Sequence, residues 1–202
     1  MIINFYGGVI YVSLYTIAQA LVERIYLLSD AVGTMLMPKI AEDEKNNSQN
    51  LTPLVFKLSV IFTFIISLFL IFLSEKIIIF IYTDEFFDSA EIMKILLVAV
   101  VFSSGWRVLL QDLNGRGFTG QTASVNLIIT FVCIILSIIL LPKIGLVGAA
   151  IASTIAYFIG FIIGIIIFIG KTENVNMLKL ISFSSVEKSM LKEIFKYLKS
   201  FG

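Results

Sequence analysis

The hydrophobic pattern of the chain is a series of long apolar stretches separated by short polar connections. Five stretches approach or exceed the roughly 20 apolar residues that a helix needs to cross a bilayer. They cover residues 9–37, 54–73, 92–110, 123–141 and 145–169. The pattern predicts an all-α fold, a polytopic membrane bundle of about five transmembrane helices.

The last stretch has the clearest pattern, because no charged side chain occurs between Gly145 and Ile169. Pro142 and Gly145 predict a short turn before it. Membrane helices associate by close backbone approach, which small residues permit. We therefore expect the beginning of this helix to pack against protein, whereas its Ile/Phe-rich end, Phe158 to Phe168, can face lipid. The small residues are Gly148, Ala149, Ala150, Ala152 and Ser153.

The sequence divides into a membrane bundle, residues 1–170, and a basic tail, residues 171–202. In the tail, Ser184 and Glu187 have the capping-box spacing of a helix start. Beyond them, apolar residues recur on one helical face and lysines lie on the other faces. This is the pattern of a basic amphipathic helix that lies on an anionic membrane surface. A solvated helix or a frayed end fits the tail equally well. The lysines of the tail are Lys171, Lys179, Lys188, Lys192, Lys196 and Lys199.

The distribution of basic residues predicts the orientation of the chain. Cytoplasmic segments of membrane proteins carry an excess of Lys and Arg. The lysine-rich tail therefore predicts a cytoplasmic C-terminus, and alternation through the spans puts the turn containing Arg116 on the same side. The acidic loop Asp84 to Glu91 then falls outside. We expect a multi-pass protein of a bacterial or archaeal plasma membrane.

The composition excludes several classes of function. The chain of 202 residues is 58% hydrophobic, with a mean hydropathy of +1.01, which is well above the apolar content of a soluble domain. It contains no His, which excludes metal centres and catalytic dyads built on imidazole. Cys133 is alone, so no intrachain disulfide forms. Because no nucleophile constellation or nucleotide motif occurs, we expect no enzyme activity, metal, cofactor or nucleic-acid partner.

Three segments, taken in order, resemble the C-terminal half of Wzx-type polysaccharide flippases, which belong to the multidrug/oligosaccharidyl-lipid/polysaccharide exporter superfamily. They are GTMLMPKIAEDE (Gly33 to Glu44), LQDLNGRGFTGQTASVN (Leu110 to Asn126) and LPKIGLVGAAIASTIAY (Leu141 to Tyr157). The similarity extends from about Tyr11 to Phe168, which is most of the chain. No single motif in it identifies a substrate.

The resemblance implies twelve or more helices in two lobes around a central cavity, of which this chain supplies the last five. It implies that the transporter moves undecaprenyl-diphosphate-linked oligosaccharide for polysaccharide biosynthesis by alternating access. The expected partners are the lipid bilayer, the lipid-linked oligosaccharide, and a missing N-terminal lobe or polysaccharide-assembly proteins. A drug/cation antiporter of the same superfamily and a non-transporting truncated remnant are the alternatives.

Four charged residues within the predicted spans are the candidate site. Charges at membrane depth are costly and usually face a protein interior or a wet cavity. Arg24 and Arg107 are candidates for head-group binding, because guanidinium offers a planar set of donors to phosphate oxygens. Glu23 and Asp30 are candidates for coupling transport to a proton or sodium gradient. Structural roles stay open for all four, including a Glu23 to Arg24 pair and interfacial anchoring of Arg107.

Overall fold

The structure is a computed structural model that describes residues 3, 8–25, 27, 48–172 and 177–182. These residues are almost entirely helical, and no strand occurs among them, so the all-α prediction is confirmed. A short 3-10 turn covers Asp84–Phe86. The helices are α1 (residues 8–25), α2 (Ser48–Ile81), α3 (Ser89–Gly115), α4 (Thr119–Lys171) and α5 (Met177–Ile181).

Three of the described helices are long and apolar enough to cross a membrane. Their apolar segments are Thr52–Ile81, Ser89–Gly115 and Thr119–Lys171. Many large apolar side chains on α2 and α4 are exposed, including Phe72 at 76% and Phe131 at 61%. A surface of this kind is suited to lipid rather than to water.

Helix α4 is a hairpin of two antiparallel arms rather than one continuous rod. The backbone leaves helical geometry at Ile144 and Gly145, and Gly145 has φ of 63°, in the left-handed region that glycine tolerates. On either side of this turn, Cys133 Sγ lies 3.6 Å from Ser153 Oγ. The first arm, residues 119–143, therefore folds back against the second arm, residues 146–171. The expectation that the small residues after the turn pack against protein is confirmed for Gly148 and its three alanine neighbours, which are buried.

The Ile/Phe-rich end of the second arm has both a lipid-facing side and a packed side. Phe158 and Ile166 are exposed, at 45% and 64%, but Phe168 is fully buried. Gly160 and Gly164 are buried because side chains of neighbouring helices lie directly against them. Lipid contact is therefore limited to one face of this end of the arm.

Helix α3 is the centre of the bundle and packs against both α2 and α4. Trp106 of α3 lies against Gly164 of the second arm, and Phe161 lies against Gly105 of α3. Helix α1 completes the core on another side, where Val22 belongs to a buried apolar cluster with residues of α3. The glycines at these contacts let the helix backbones approach closely. Side chains from neighbouring helices can therefore lie next to one another.

One end of the bundle, the Arg116 end, contains a buried polar cluster. Asp112 is fully buried and accepts a hydrogen bond from Thr52 Oγ1 at 2.6 Å. Arg116 Nε donates to the other carboxylate oxygen of Asp112 at 2.6 Å. Lys57 is also buried and donates to the Ser182 carbonyl at 2.6 Å, which joins the segment containing α5 to α2. These contacts connect α2, the C-terminal end of α3 and the segment that contains α5 at the same end of the bundle.

Several predictions fall on residues that the structure does not describe. Asp30 and the end of the first predicted span, residues 28–37, are outside the described residues. The predicted amphipathic helix of the tail, with Ser184 and Glu187, is outside them as well.

Candidate functional site

A polar cavity of about 420 Å³ lies between α1, α3 and the second arm of α4. We call it the Glu23 cavity. Helix α1 contributes one face to it, because Tyr15, Gln19 and Glu23 follow one another at intervals of four residues. Its other lining residues are Val22, Leu27, Leu96, Arg107, Ser153 and Tyr157.

A second cavity, of about 580 Å³, lies between α3 and both arms of α4. We call it the Asn126 cavity. It shares Arg107 and Tyr157 with the Glu23 cavity, so the two cavities adjoin along α3, and we call them together the polar groove. Its remaining lining residues are Ser103, Trp106, Leu110, Gln111, Asn126, Ile129 and Thr130.

The carboxylate of Glu23 is held at one end of the polar groove. Glu23 is exposed, and Gln19 Nε2 donates to its Oε1 at 2.7 Å. The two residues are four apart on α1, which is the spacing at which helical side chains meet. This bond positions the carboxylate while leaving its other oxygen available to a ligand or ion in the cavity.

Arg107 lies at the junction of the two cavities and is half-buried. The wall beside it is rigid, because Trp106 Nε1 donates to Asn126 Oδ1 at 3.1 Å and the indole ring packs against Gly164. Trp106 is 3% exposed. The guanidinium of Arg107 is therefore presented from a fixed part of α3 rather than from a loop.

A chain of hydroxyl contacts connects α1 to both arms of α4 beside the Glu23 cavity. Tyr15 Oη lies 3.1 Å from Ser153 Oγ, which in turn lies 3.6 Å from Cys133 Sγ. Ser153 also donates to the Ala149 carbonyl at 3.1 Å. These contacts fix the position of α1, and hence of Glu23, relative to the hairpin.

The structure separates the four residues that the sequence singles out. Glu23 and Arg107 line the same cavity, on different helices. Arg24 is exposed and is not among the residues that line either cavity, and Asp30 is outside the described residues. Arg24 lies about 100° around α1 from Glu23, on the side farther from Tyr15 and Val22, which also line the Glu23 cavity.

Sequence reasoning did not identify most of the lining residues. Tyr15 and Tyr157 are of a residue type that also occurs on packed helix faces, so neither residue by itself indicates a groove. One useful pattern was available, because the four-residue interval of Tyr15, Gln19 and Glu23 is a polar stripe in an otherwise apolar helix.

Among the described residues, the polar groove offers one cation, one carboxylate and several neutral groups, in a bundle with helices long and apolar enough to span a membrane. Such groups are costly in hydrocarbon and are found where they face water, protein or a polar ligand. The arrangement is suited to binding an anion at Arg107 and neutral polar groups on either side.

The comparison with protein families identifies the chain's relatives. The family model described as "Lipid II flippase MurJ" matches residues 9–197, nearly the whole chain. The chain belongs to the MurJ family. No match is found among individually curated proteins.

A solved structure titled "Lipid II flippase MurJ, inward closed conformation" has the same fold as this MurJ-family chain. The TM-score is 0.72 at 25% sequence identity. The match covers 97% of this chain and 43% of that one, so the chain spans less than half the length of the solved protein.

The family assignment confirms the predicted superfamily and transporter class but not the predicted Wzx type. MurJ proteins are membrane lipid transporters, not enzymes, and they belong to the exporter superfamily that the sequence resembles. The Wzx type, however, is not confirmed, because the matching family is MurJ.

Proposed function

We propose that this chain forms part of a flippase that carries a lipid whose head group is a diphosphate-linked sugar across the membrane by alternating access. The observation that carries the proposal is the position of Arg107 at the junction of the two cavities, within a helix able to span a membrane. The family match supports the same class of activity.

Arg107 is suited to the diphosphate of such a lipid. A diphosphate presents only acceptor oxygens, and guanidinium presents only N–H donors in a planar arrangement. In a site partly removed from water, charge-assisted bonds of this kind are about twice as strong as neutral ones. A substrate anion at Arg107 would also have access to both cavities.

The substrate class follows from the family name together with the chemistry of the groove. The family is named for lipid II, and we propose lipid II, or a lipid-linked diphosphate sugar of the same kind, as the substrate of the transporter to which this chain contributes. The undecaprenyl-diphosphate-linked oligosaccharide expected from the sequence has the same diphosphate attachment. Either lipid would place that diphosphate at Arg107.

A drug/cation antiporter is the competing proposal from the sequence. Such a cavity needs an acidic residue and few cations. In the polar groove, Arg107 lines both cavities, whereas Glu23 lines one. This distribution favours an anionic substrate, and Glu23 is left as the proposed ion-coupling residue.

The proposal is tested by binding of undecaprenyl diphosphate to the purified chain in lipid nanodiscs. We expect Arg107→Gln to weaken binding about tenfold, because a charge-assisted hydrogen bond contributes roughly 1.5 kcal/mol or more. Arg107→Lys should recover part of the affinity, since it keeps the charge but not the planar donors.

Arg24→Gln is the matched control, because it removes the same charge from a position outside both cavities. It should bind like the parent chain. Equal weakening by both substitutions would mean that net charge, rather than the groove, attracts the lipid. Undiminished binding by Arg107→Gln would overturn the proposal.

A further inference from the structure

The two halves of the polar groove differ in charge, and this difference gives the groove a direction. Apart from Arg107, which both halves share, the Glu23 cavity contains a carboxylate. The Asn126 cavity contains no acidic side chain among the lining residues in the described part of the chain. An anion bound at Arg107 is therefore repelled on the Glu23 side and not on the other.

The Asn126 cavity also has the hydrogen-bonding groups that a sugar requires. Sugar hydroxyls both donate and accept, so they need partners of both kinds, unlike a diphosphate, which only accepts. The amide of Gln111 supplies a donor and an acceptor. Asn126 Oδ1 already accepts from Trp106 Nε1 at 3.1 Å, which orients the amide so that its NH₂ group donates elsewhere.

Two hydroxyl groups in the same cavity are set to accept. Ser103 Oγ donates to the Val100 carbonyl at 3.1 Å, and Thr130 Oγ1 donates to the Asn126 carbonyl at 2.8 Å. Because the hydrogen of each hydroxyl points to its own helix, the lone pairs of its oxygen are directed away from that helix. Tyr157, which is half-buried, adds aromatic surface, and such surface packs against the apolar face of a sugar ring.

We propose that the Asn126 cavity is the sugar subsite of the groove, with Gln111 and Asn126 as the residues that distinguish a sugar-bearing head group from a bare diphosphate. The inference rests on the proposed function, because it takes the diphosphate to lie at Arg107. The head group then extends along α3 away from Glu23.

The test compares two ligands, undecaprenyl diphosphate and the same lipid linked to a disaccharide, bound to the chain in nanodiscs. The chain has a single tryptophan, which lines the subsite and donates to Asn126, so its emission reports on a ligand that contacts Asn126. We expect the Trp106 spectrum to change with the sugar-bearing lipid and to change little with the bare diphosphate.

Gln111→Leu should weaken binding of the sugar-bearing lipid about three- to tenfold, which is the usual effect of losing one or two neutral hydrogen bonds. Binding of the bare diphosphate should be unchanged. Gln121→Leu is the matched control, because Gln121 is also partly buried but does not line either cavity. Thr130→Val, which removes one acceptor while keeping the shape, should give a smaller selective loss.

The outcomes separate this inference from the proposed function. If Gln111→Leu weakens both lipids equally, or neither, the sugar subsite is wrong while Arg107 can still bind the diphosphate. If Arg107→Gln affects neither lipid but Gln111→Leu acts selectively, the Asn126 cavity binds the sugar, but the diphosphate assignment and the direction of the head group from Arg107 fail. If the parent chain binds neither lipid, both are overturned.

Discussion

The Arg116 end and the polar groove each contain an arginine and a carboxylate, but they use these groups differently. At the Arg116 end, Asp112 is fully buried and accepts hydrogen bonds from Thr52 of α2 and from Arg116, the residue that follows α3. In the groove, Arg107 and Glu23 face a cavity from different helices. The first pair closes the end of the bundle, and the second presents charge to a ligand. The exposure of the carboxylate, which is buried in Asp112 and exposed in Glu23, distinguishes the two regions, whereas the types of charged group are the same.

The largest effect is expected at the Arg116 end. Asp112→Ala removes the acceptor of both Thr52 and Arg116, and it leaves a largely buried guanidinium without its carboxylate. We expect the free energy of unfolding in detergent micelles to fall by about 3 kcal/mol. The control is Asp84→Ala, at an exposed position, which should change it little. Equal stabilities of the two variants would show that the contacts of Asp112 do not stabilise the Arg116 end.

The packing behind the groove should give the next largest effect. A methyl group at Gly164 would meet the Trp106 ring, so Gly164→Ala forces the indole to move toward the Asn126 cavity. We expect a loss of about 2 kcal/mol in unfolding free energy, together with a shift in tryptophan emission. At Gly170, on the same arm, nothing lies near the added methyl group, and Gly170→Ala should be neutral. If Gly164→Ala changed neither the unfolding free energy nor the emission, the packing of Trp106 against Gly164 would be able to adjust at no cost.

The two arginines give the direct test of the comparison. Arg107→Gln should reduce lipid binding about tenfold, as proposed above. Arg116→Gln should leave lipid binding unchanged and lower the free energy of unfolding, because Asp112 loses its ion pair at 2.6 Å. Unfolding and nanodisc binding are measured on the same preparations. If each substitution changes both quantities alike, the two regions do not differ as described.

The smallest effect is expected at the opposite end, where Lys94 Nζ lies 2.6 Å from Glu75 Oε1 in an exposed pair. Side chains that are 37% and 50% exposed form ion pairs of little net value. Lys94→Ala should therefore lower the free energy of unfolding by less than about 1 kcal/mol. At 1 M salt the variant and the parent chain should be equally stable. A loss as large as that of Asp112→Ala would show that exposure is a poor guide to the strength of these pairs.

The general fold could be predicted from the sequence because lipid imposes simple requirements. Long apolar stretches predict helices, and Pro142 with Gly145 predicts the turn of the hairpin that the structure contains. Small residues after that turn predict close packing, and they are buried. These features depend on local composition alone, so no knowledge of the neighbouring helices was needed.

The site could be predicted only in part. Arg107 and Glu23 are conspicuous because charges are rare within spans, and both line the groove. Arg24 is just as conspicuous but points elsewhere, since the rotation of α1 is set by packing of residues such as Val22. Which neutral residues, Gln111 and Asn126 among them, share a cavity depends on how three helix segments meet. That arrangement is not encoded in the spacing along any one of them.

The contacts of Ser153 have a practical consequence for observing motion. The chain's one thiol, Cys133, is linked through Ser153 to Tyr15 on α1. Displacement of α1 would break the 3.1 Å contact between Tyr15 and Ser153 and open the space beside the sulfur. The rate of maleimide modification would then report rocking of that helix without any engineered label.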